Sequence, residues 1–132
     1  MAFLLDTNAV IGVLKDPAAP IGQRLRRCQP EEVFISAIVL HELFYGAFRS
    51  ARVERNLAVV EGLRFSVLEF SREDARAAGK IRAALVAQGK PIGPYDVLIA
   101  GQAVARGLVL VTRNGAEFGR VKGLVMEDWE AG

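Results

Sequence analysis

Three short segments of this chain contain no polar residue: Ala2-Phe3-Leu4-Leu5, Val33-Phe34-Ile35 and Leu108-Val109-Leu110-Val111. A strand with one wet face alternates apolar and polar residues. A strand that is apolar throughout has to be covered on both faces, which is the condition of a parallel sheet sandwiched between helices. The stretches between the runs supply those helices. They are expected over 8–15, 21–28, 36–49, 51–62, 71–87 and 94–106. Asp74, three residues after Ser71, makes a variant capping box, Pro94 suits a first helical turn, and Gly107 suits a left-handed C-cap. A third strand is expected over 65–70, a turn at Asn114-Gly115, and a short last strand over 124–126. The expected fold class is a three-layer α/β domain, with a central, mostly parallel sheet and helices on both faces. At 132 residues, a single domain over 1–132 is expected.

Composition narrows the chemistry. Apolar residues make up 52% of the chain and charged residues 24%, which excludes a disordered or low-complexity segment. No apolar stretch is long enough to span a bilayer, and Asp6 interrupts the first one, so neither a membrane span nor a signal peptide is expected. A cytoplasmic globular protein is the expectation. One cysteine, Cys28, excludes an internal disulfide and a multi-thiolate metal site, and one histidine, His41, argues against zinc chemistry. Carboxylates are left as the main reactive groups. Thirteen of the 17 basic residues are Arg, the side chain suited to phosphate and carboxylate forks.

Ligands of open parallel sheets bind beyond the carboxyl ends of the strands. Asp6 directly follows the first apolar run, although an Asp there also serves as an ordinary N-cap. Glu42 shares its helix face with Ile38, Val39 and Tyr45, so it needs a partner, a proton or a metal; a buried pair with one of the Arg residues is the plain alternative. Gly46, one turn further on, opens space beside it. Asp96 follows Pro94 at the start of a helix that is apolar nearly all round, where compensation of the helix dipole would also account for it. Thr112, Arg113 and Asn114 follow the last long apolar run, with Glu117 three residues on; a polar turn is the bland explanation. Two unit charges 4 Å apart repel by about 4 kcal/mol at an effective dielectric of 20. Carboxylates converging at one sheet edge therefore call for a cation or raised pKa values, and an all-oxygen donor set favours Mg²⁺ or Mn²⁺. Such sites are suited to phosphate chemistry.

Four motifs run in this order along the chain: Leu4-Leu-Asp-Thr-Asn8, Ser36-Ala-x-x-x-x-Glu42-Leu-x-x-Gly46, Pro91-Ile-Gly-x-x-Asp96-x-x-Ile-Ala100 and Leu110-Val-Thr-Arg-Asn114. Together they resemble the PIN-domain ribonucleases, and closely the VapC-type toxins of bacterial toxin–antitoxin pairs. The resemblance implies an acidic pocket with one or two Mg²⁺ or Mn²⁺ ions and endonucleolytic cleavage of RNA that leaves 5′-phosphate and 3′-hydroxyl ends. By position, Asp6, Glu42 and Asp96 match the three core acids. They are the expected metal ligands, with Glu42 alternatively a base for the attacking water. Many PIN domains carry Asp at a fourth position where this chain has Asn114, with Glu117 three residues on. Thr112 and Asn8 are expected behind the ligands, orienting them. Arg113, Tyr95 (where the family often has Asn) and Arg49 are the RNA-contact candidates. The resemblance also implies a homodimer, neutralised by a VapB-type antitoxin in a larger hetero-oligomer, with Leu43, Phe44 and Phe48 as antitoxin-contact candidates.

Two alternatives stand beside this reading: a housekeeping PIN nuclease of RNA maturation or decay, and a non-catalytic Mg²⁺-binding α/β interaction module. A receiver-type domain would place an Asp after the third strand, where this chain has Phe70-Ser71. Dehalogenase-type chemistry would place an Asp where this chain has Asn8. His41 lies about 100° around the helix from Glu42 and is expected to be structural or interfacial. Trp129 is expected to close the core.

Overall fold

The fully apolar runs become the middle of one sheet. The structure, a computed structural model, describes residues 1–130. Its elements are β1 (Phe3–Leu5), α1 (Thr7–Lys15), α2 (Pro20–Arg26), β2 (Val33–Ser36), α3 (Ala37–Phe48), α4 (Val53–Glu61), β3 (Ser66–Leu68), α5 (Arg72–Ala87), α6 (Pro94–Arg106), β4 (Val109–Val111), α7 (Gly115–Phe118) and β5 (Met126–Glu127), with a 3₁₀ turn at Pro30–Glu32 before β2. The strands are ordered β3-β2-β1-β4-β5, and every neighbouring pair is parallel. Central β1 sets Leu5 against Ile35 on one side and Val111 on the other. All of β1 and β4 is buried, whereas Val67 on the edge strand β3 is exposed.

The chain walks from β1 to β2 to β3 in one direction and returns across the sheet to β4. With right-handed crossovers, the helices of the outward walk and of the return must cover opposite faces. Accordingly α1 packs on α2 and α3, and α3 on α4, while α5 and α6 form a tight pair of their own. That pair depends on Gly101: a Cβ there would lie 2.5 Å from the Cα of Ala78, so only glycine lets the two helices approach this closely. Trp129 closes the bottom of the core edge-on against Phe3, with ring centroids 5.0 Å apart, as expected.

Two expectations need correction. The last strand is Met126–Glu127, not 124–126, because Val125 and Glu127 are the residues whose carbonyls accept from Leu110 and Thr112 of the β4 segment, at 2.9 and 3.0 Å. Asn114-Gly115 does not simply turn the chain: it is the entry to α7, which carries Phe118 into the core at 1% exposure.

Asp74 does more than cap α5. Its side chain is buried and accepts from Ser71 N at 2.8 Å, from Gln102 Nε2 at 3.0 Å and from both Nε and Nη2 of Arg106, at 3.1 and 2.9 Å. Burial pushes its carboxyl upward, but the Arg106 and Ser71 hydrogen bonds outweigh this and hold it below the ordinary 3.8. A depressed carboxyl stabilises the fold above its unfolded pKa, and that contribution is lost as pH falls through the folded value. Asp74→Ala removes the carboxylate that Arg106 and Gln102 share, leaving both with the Glu69 carbonyl alone, and is expected to cost about 2–4 kcal/mol in chemical denaturation. The difference from the unsubstituted protein should shrink only below about pH 4.

Candidate active site

In a parallel sheet every strand delivers its successor residue to the same edge. Asp6 follows β1 and Thr112 follows β4; the backbone N–H of Asp6 donates to Val111 O at 3.1 Å, which ties the two exits together. Glu42 comes from the second turn of α3, Asp96 from the first turn of α6 and Glu117 from α7. These four carboxylates gather at one edge of the sheet, near enough for their charges to interact. Asp96 feels the charges of Glu117, Glu42 and Asp6, and Asp6 feels those of Glu130 and Glu42.

Most of the acids are held by neutral donors. Asp6 is buried, caps α1 by accepting from Ala9 N at 2.8 Å, and receives the hydroxyl of buried Thr112. Glu42 Oε1 accepts from Thr7 Oγ1 at 2.8 Å. Glu117 is held twice, by Asn114 Nδ2 at 2.7 Å and by Gly93 N at 3.3 Å. Asn114 is in turn fixed through its backbone N–H, which donates to Thr112 Oγ1 at 2.9 Å. Among the described residues, no Lys or Arg forms an ion pair with Asp6, Glu42, Asp96 or Glu117. The alternative of a Glu42–Arg pair is therefore not what the structure contains.

Uncompensated charge shows in the proton affinities. Burial first, then Glu117, Glu42 and Asp6, push the Asp96 carboxyl up to about 6. Burial also raises Asp6, and Glu130 and Glu42 add to the rise, against the lowering effect of Thr112 and Ala9 N. Carboxylates that repel one another without a cation fit a divalent ion in chemistry and charge. Among the described residues, no three of them are already drawn tightly enough to ligate one ion together. The arrangement is a group of neighbouring acids with the donor chemistry and charge to attract such an ion.

The structure brings Asp6, Glu42, Asp96, Glu117, Asn114 and Thr112 to one place. Asn8 is exposed in the first turn of α1, and Thr7 beside it is the residue that reaches an acid. Arg113 is at the pocket's margin, ion-paired through Nε to Glu130 Oε2 at 3.2 Å. Glu130 is an acid of this neighbourhood that the sequence pattern missed; nothing near the chain's end marks it apart from neighbouring Asp128 and Glu127. Tyr95 is exposed, with its ring 5.5 Å from that of His41, and Arg49 caps α3 about two turns beyond Glu42, over the ring of Tyr45 at 5.7 Å. Leu43 is a core residue that also lines a groove of about 530 Å³ between α1, α3 and α4, together with Ile11, Leu14, Val59, Val60 and Glu42. Phe44 is half-buried against the core, and Phe48 is exposed outside that groove. A Cβ at Gly46, which also lines it, would meet nothing within 4 Å, so the space beside Glu42 is open.

A sheet covered on both faces, with cation-free acids beyond its carboxyl edge, belongs to a recognisable class. The PIN domain profile matches residues 3–124. Over 131 residues, 98% of both chains, the sequence is 47% identical to the tRNA(fMet)-specific endonuclease VapC of Shigella flexneri. It is 40% identical, over the same share, to ribonuclease VapC2 of Haemophilus influenzae strain Rd. The fold superposes with a TM-score of 0.92 and 46% identity on a chain of the DNA-bound VapBC complex of Salmonella typhimurium, covering 98% of each chain. The chain belongs to the PIN-domain family and, within it, to the VapC ribonucleases.

A raised carboxyl makes the folded state bind a proton that the unfolded state has released. Stability therefore falls as pH rises from 3.8 to about 6, and the deficit is complete above that window. In the presence of a chelator, Asp96→Asn is expected to melt a few degrees above the unsubstituted protein at about pH 7.5, with the gap closing as pH falls toward about 4. A thermal melt at each pH checks it.

Proposed function

We propose that this chain is the toxin of a VapBC-type toxin–antitoxin pair: a single PIN domain that cleaves RNA endonucleolytically with Mg²⁺ or Mn²⁺ held by Asp6, Asp96 and Glu42. The observation that carries the reading is the convergence of four carboxylates that, among the described residues, form no ion pair with Lys or Arg. The names of its relatives point to tRNA(fMet) as the RNA to test.

A divalent ion bound here would supply a low-pKa water and charge neutralisation on the phosphate. The chain's own residues do the rest. Ala9 N and Thr112 keep Asp6 oriented and favour its charged form. Thr7 occupies one oxygen of Glu42 and leaves the other to face the pocket, as a ligand or as the acceptor of the attacking water's proton. Glu117, with both oxygens engaged by Asn114 and Gly93, is suited to orienting water rather than gripping the ion. In-line attack breaks the bond between phosphorus and the 3′ oxygen, leaving 5′-phosphate and 3′-hydroxyl ends.

The groove of α1, α3 and α4 supports the antitoxin half of the reading. Its lining is mostly apolar and includes Glu42, which suits an amphipathic segment that lies in it and brings a basic side chain to the acids. Among the described residues no helix is long and apolar enough to cross a membrane.

With purified protein and tRNA(fMet), Asp6→Asn and Asp96→Asn should each lower Mg²⁺-dependent cleavage by about a hundredfold or more while remaining folded by circular dichroism. Cleavage by either variant at the unsubstituted rate would refute the assignment. Thr112→Val, which removes the hydroxyl that favours charged Asp6 and accepts from Asn114 N, is expected to lose about 10- to 100-fold in activity and to need more Mg²⁺ for half-maximal rate.

A further inference from the structure

Exposed aromatic rings stand beside the acids. His41 immediately precedes Glu42 on α3, and Tyr95 immediately precedes Asp96 on α6. Their rings meet across the two helices, with centroids 5.5 Å apart and planes inclined by 57°. Tyr95 is 45% exposed and His41 is exposed too, so neither ring is there to fill the core. The feature continues along α3. Tyr45 and Arg49 follow His41 at steps of four residues, about 6 Å apart along the helix, and the guanidinium of Arg49 lies over the Tyr45 ring.

Open π-faces interleaved with a cation are what a single strand of nucleic acid needs, because every base has a face to stack and every phosphate a charge to meet. The placement is selective as well. An acidic pocket repels phosphates that are not neutralised there, so strand contacts beside it have to come from bases. We propose that His41 and Tyr95 form a stacking platform for an unpaired RNA base flanking the scissile phosphate, with Tyr45 and Arg49 extending the track away from the acids. The proposal rests on the RNA-cleaving reading above and adds to it a requirement: the cleaved bond lies in an unpaired segment. Tyr95 and His41 are then positioning residues for the strand, separate from the metal-binding acids.

The test uses tRNA(fMet) transcripts with 2-aminopurine placed in turn at the unpaired positions flanking the mapped cleavage site, bound to the cleavage-silent Asp6→Asn protein. Fluorescence should be quenched at one of these positions, and adding His41→Ala or Tyr95→Ala should abolish the quenching, while Tyr95→Phe keeps it. In the otherwise unsubstituted enzyme, the same Ala substitutions should raise KM about 5- to 100-fold and leave kcat within about twofold. Their melting temperatures should be unchanged, since both rings are exposed. Quenching and KM unaffected by both Ala substitutions would overturn the platform while leaving the nuclease reading intact. So would Ala variants that weaken self-association in sedimentation without altering RNA binding, since the rings would then serve a second copy of the chain. RNA neither bound nor cleaved by any form would overturn both.

Discussion

Like charges brought together at the edge of a sheet are the constraint around which this molecule is built. Burial first, and then the charges of Glu117, Glu42 and Asp6, raise the Asp96 carboxyl to about 6, and among the described residues no Lys or Arg pairs with these acids to relieve it. The side chains cannot simply swing away, because three of the four are tied down: Asp6 and Glu42 to α1 through Ala9 and Thr7, and Glu117 to the loop before α6 through Gly93. Those elements are in turn anchored on β1 and β4, every residue of which is buried. Hydrophobic burial thus holds in place an arrangement that electrostatics opposes, and a pocket under such tension gains by taking up a cation.

Asp74 shows that burial alone does not make an acid reactive. It is more deeply buried than Asp96, yet its carboxyl is held below the ordinary value because Arg106, Gln102 and Ser71 satisfy it completely. The same residue type, in the same fold, serves as a fully compensated strut on the α5–α6 face and as an uncompensated charge at the sheet edge. What separates structure from function here is the inventory of donors around each carboxylate. The near-neutral total of +2 conceals this separation: outside the four pocket acids, 17 basic residues face 11 acidic ones.

Much of the site was legible because each acid stands in a conspicuous local setting. Asp6 ends an unbroken apolar run, Glu42 interrupts an apolar helical stripe, and Asp96 follows a proline at a helix start. The parts that were not legible all join residues far apart in the chain. Thr7 reaches Glu42 across 35 positions, Gly93 reaches Glu117 across 24, and Arg106 reaches Asp74 across 32. Nothing local distinguishes Thr7 from Asn8, or Glu130 from its acidic neighbours. The start of α7 was misjudged for a related reason: Asn-Gly is a strong turn signal by itself, but the burial of Phe118 and the Asn114–Glu117 hydrogen bond draw the chain into a helical turn.

The amino-acid order alone was enough for the α/β architecture, the family and the acids, because these follow from apolar periodicity, caps and punctuating residues that act within a few positions of one another. Tertiary structure decided which hydroxyl or amide holds each acid, that Asp74 is neutralised while Asp96 is not, and that His41 meets Tyr95 at the pocket's rim. Those outcomes depend on how the chain returns across the sheet from β3 to β4, and hydrogen bonds, desolvation and charge coupling act through space, over distances that sequence separation does not encode.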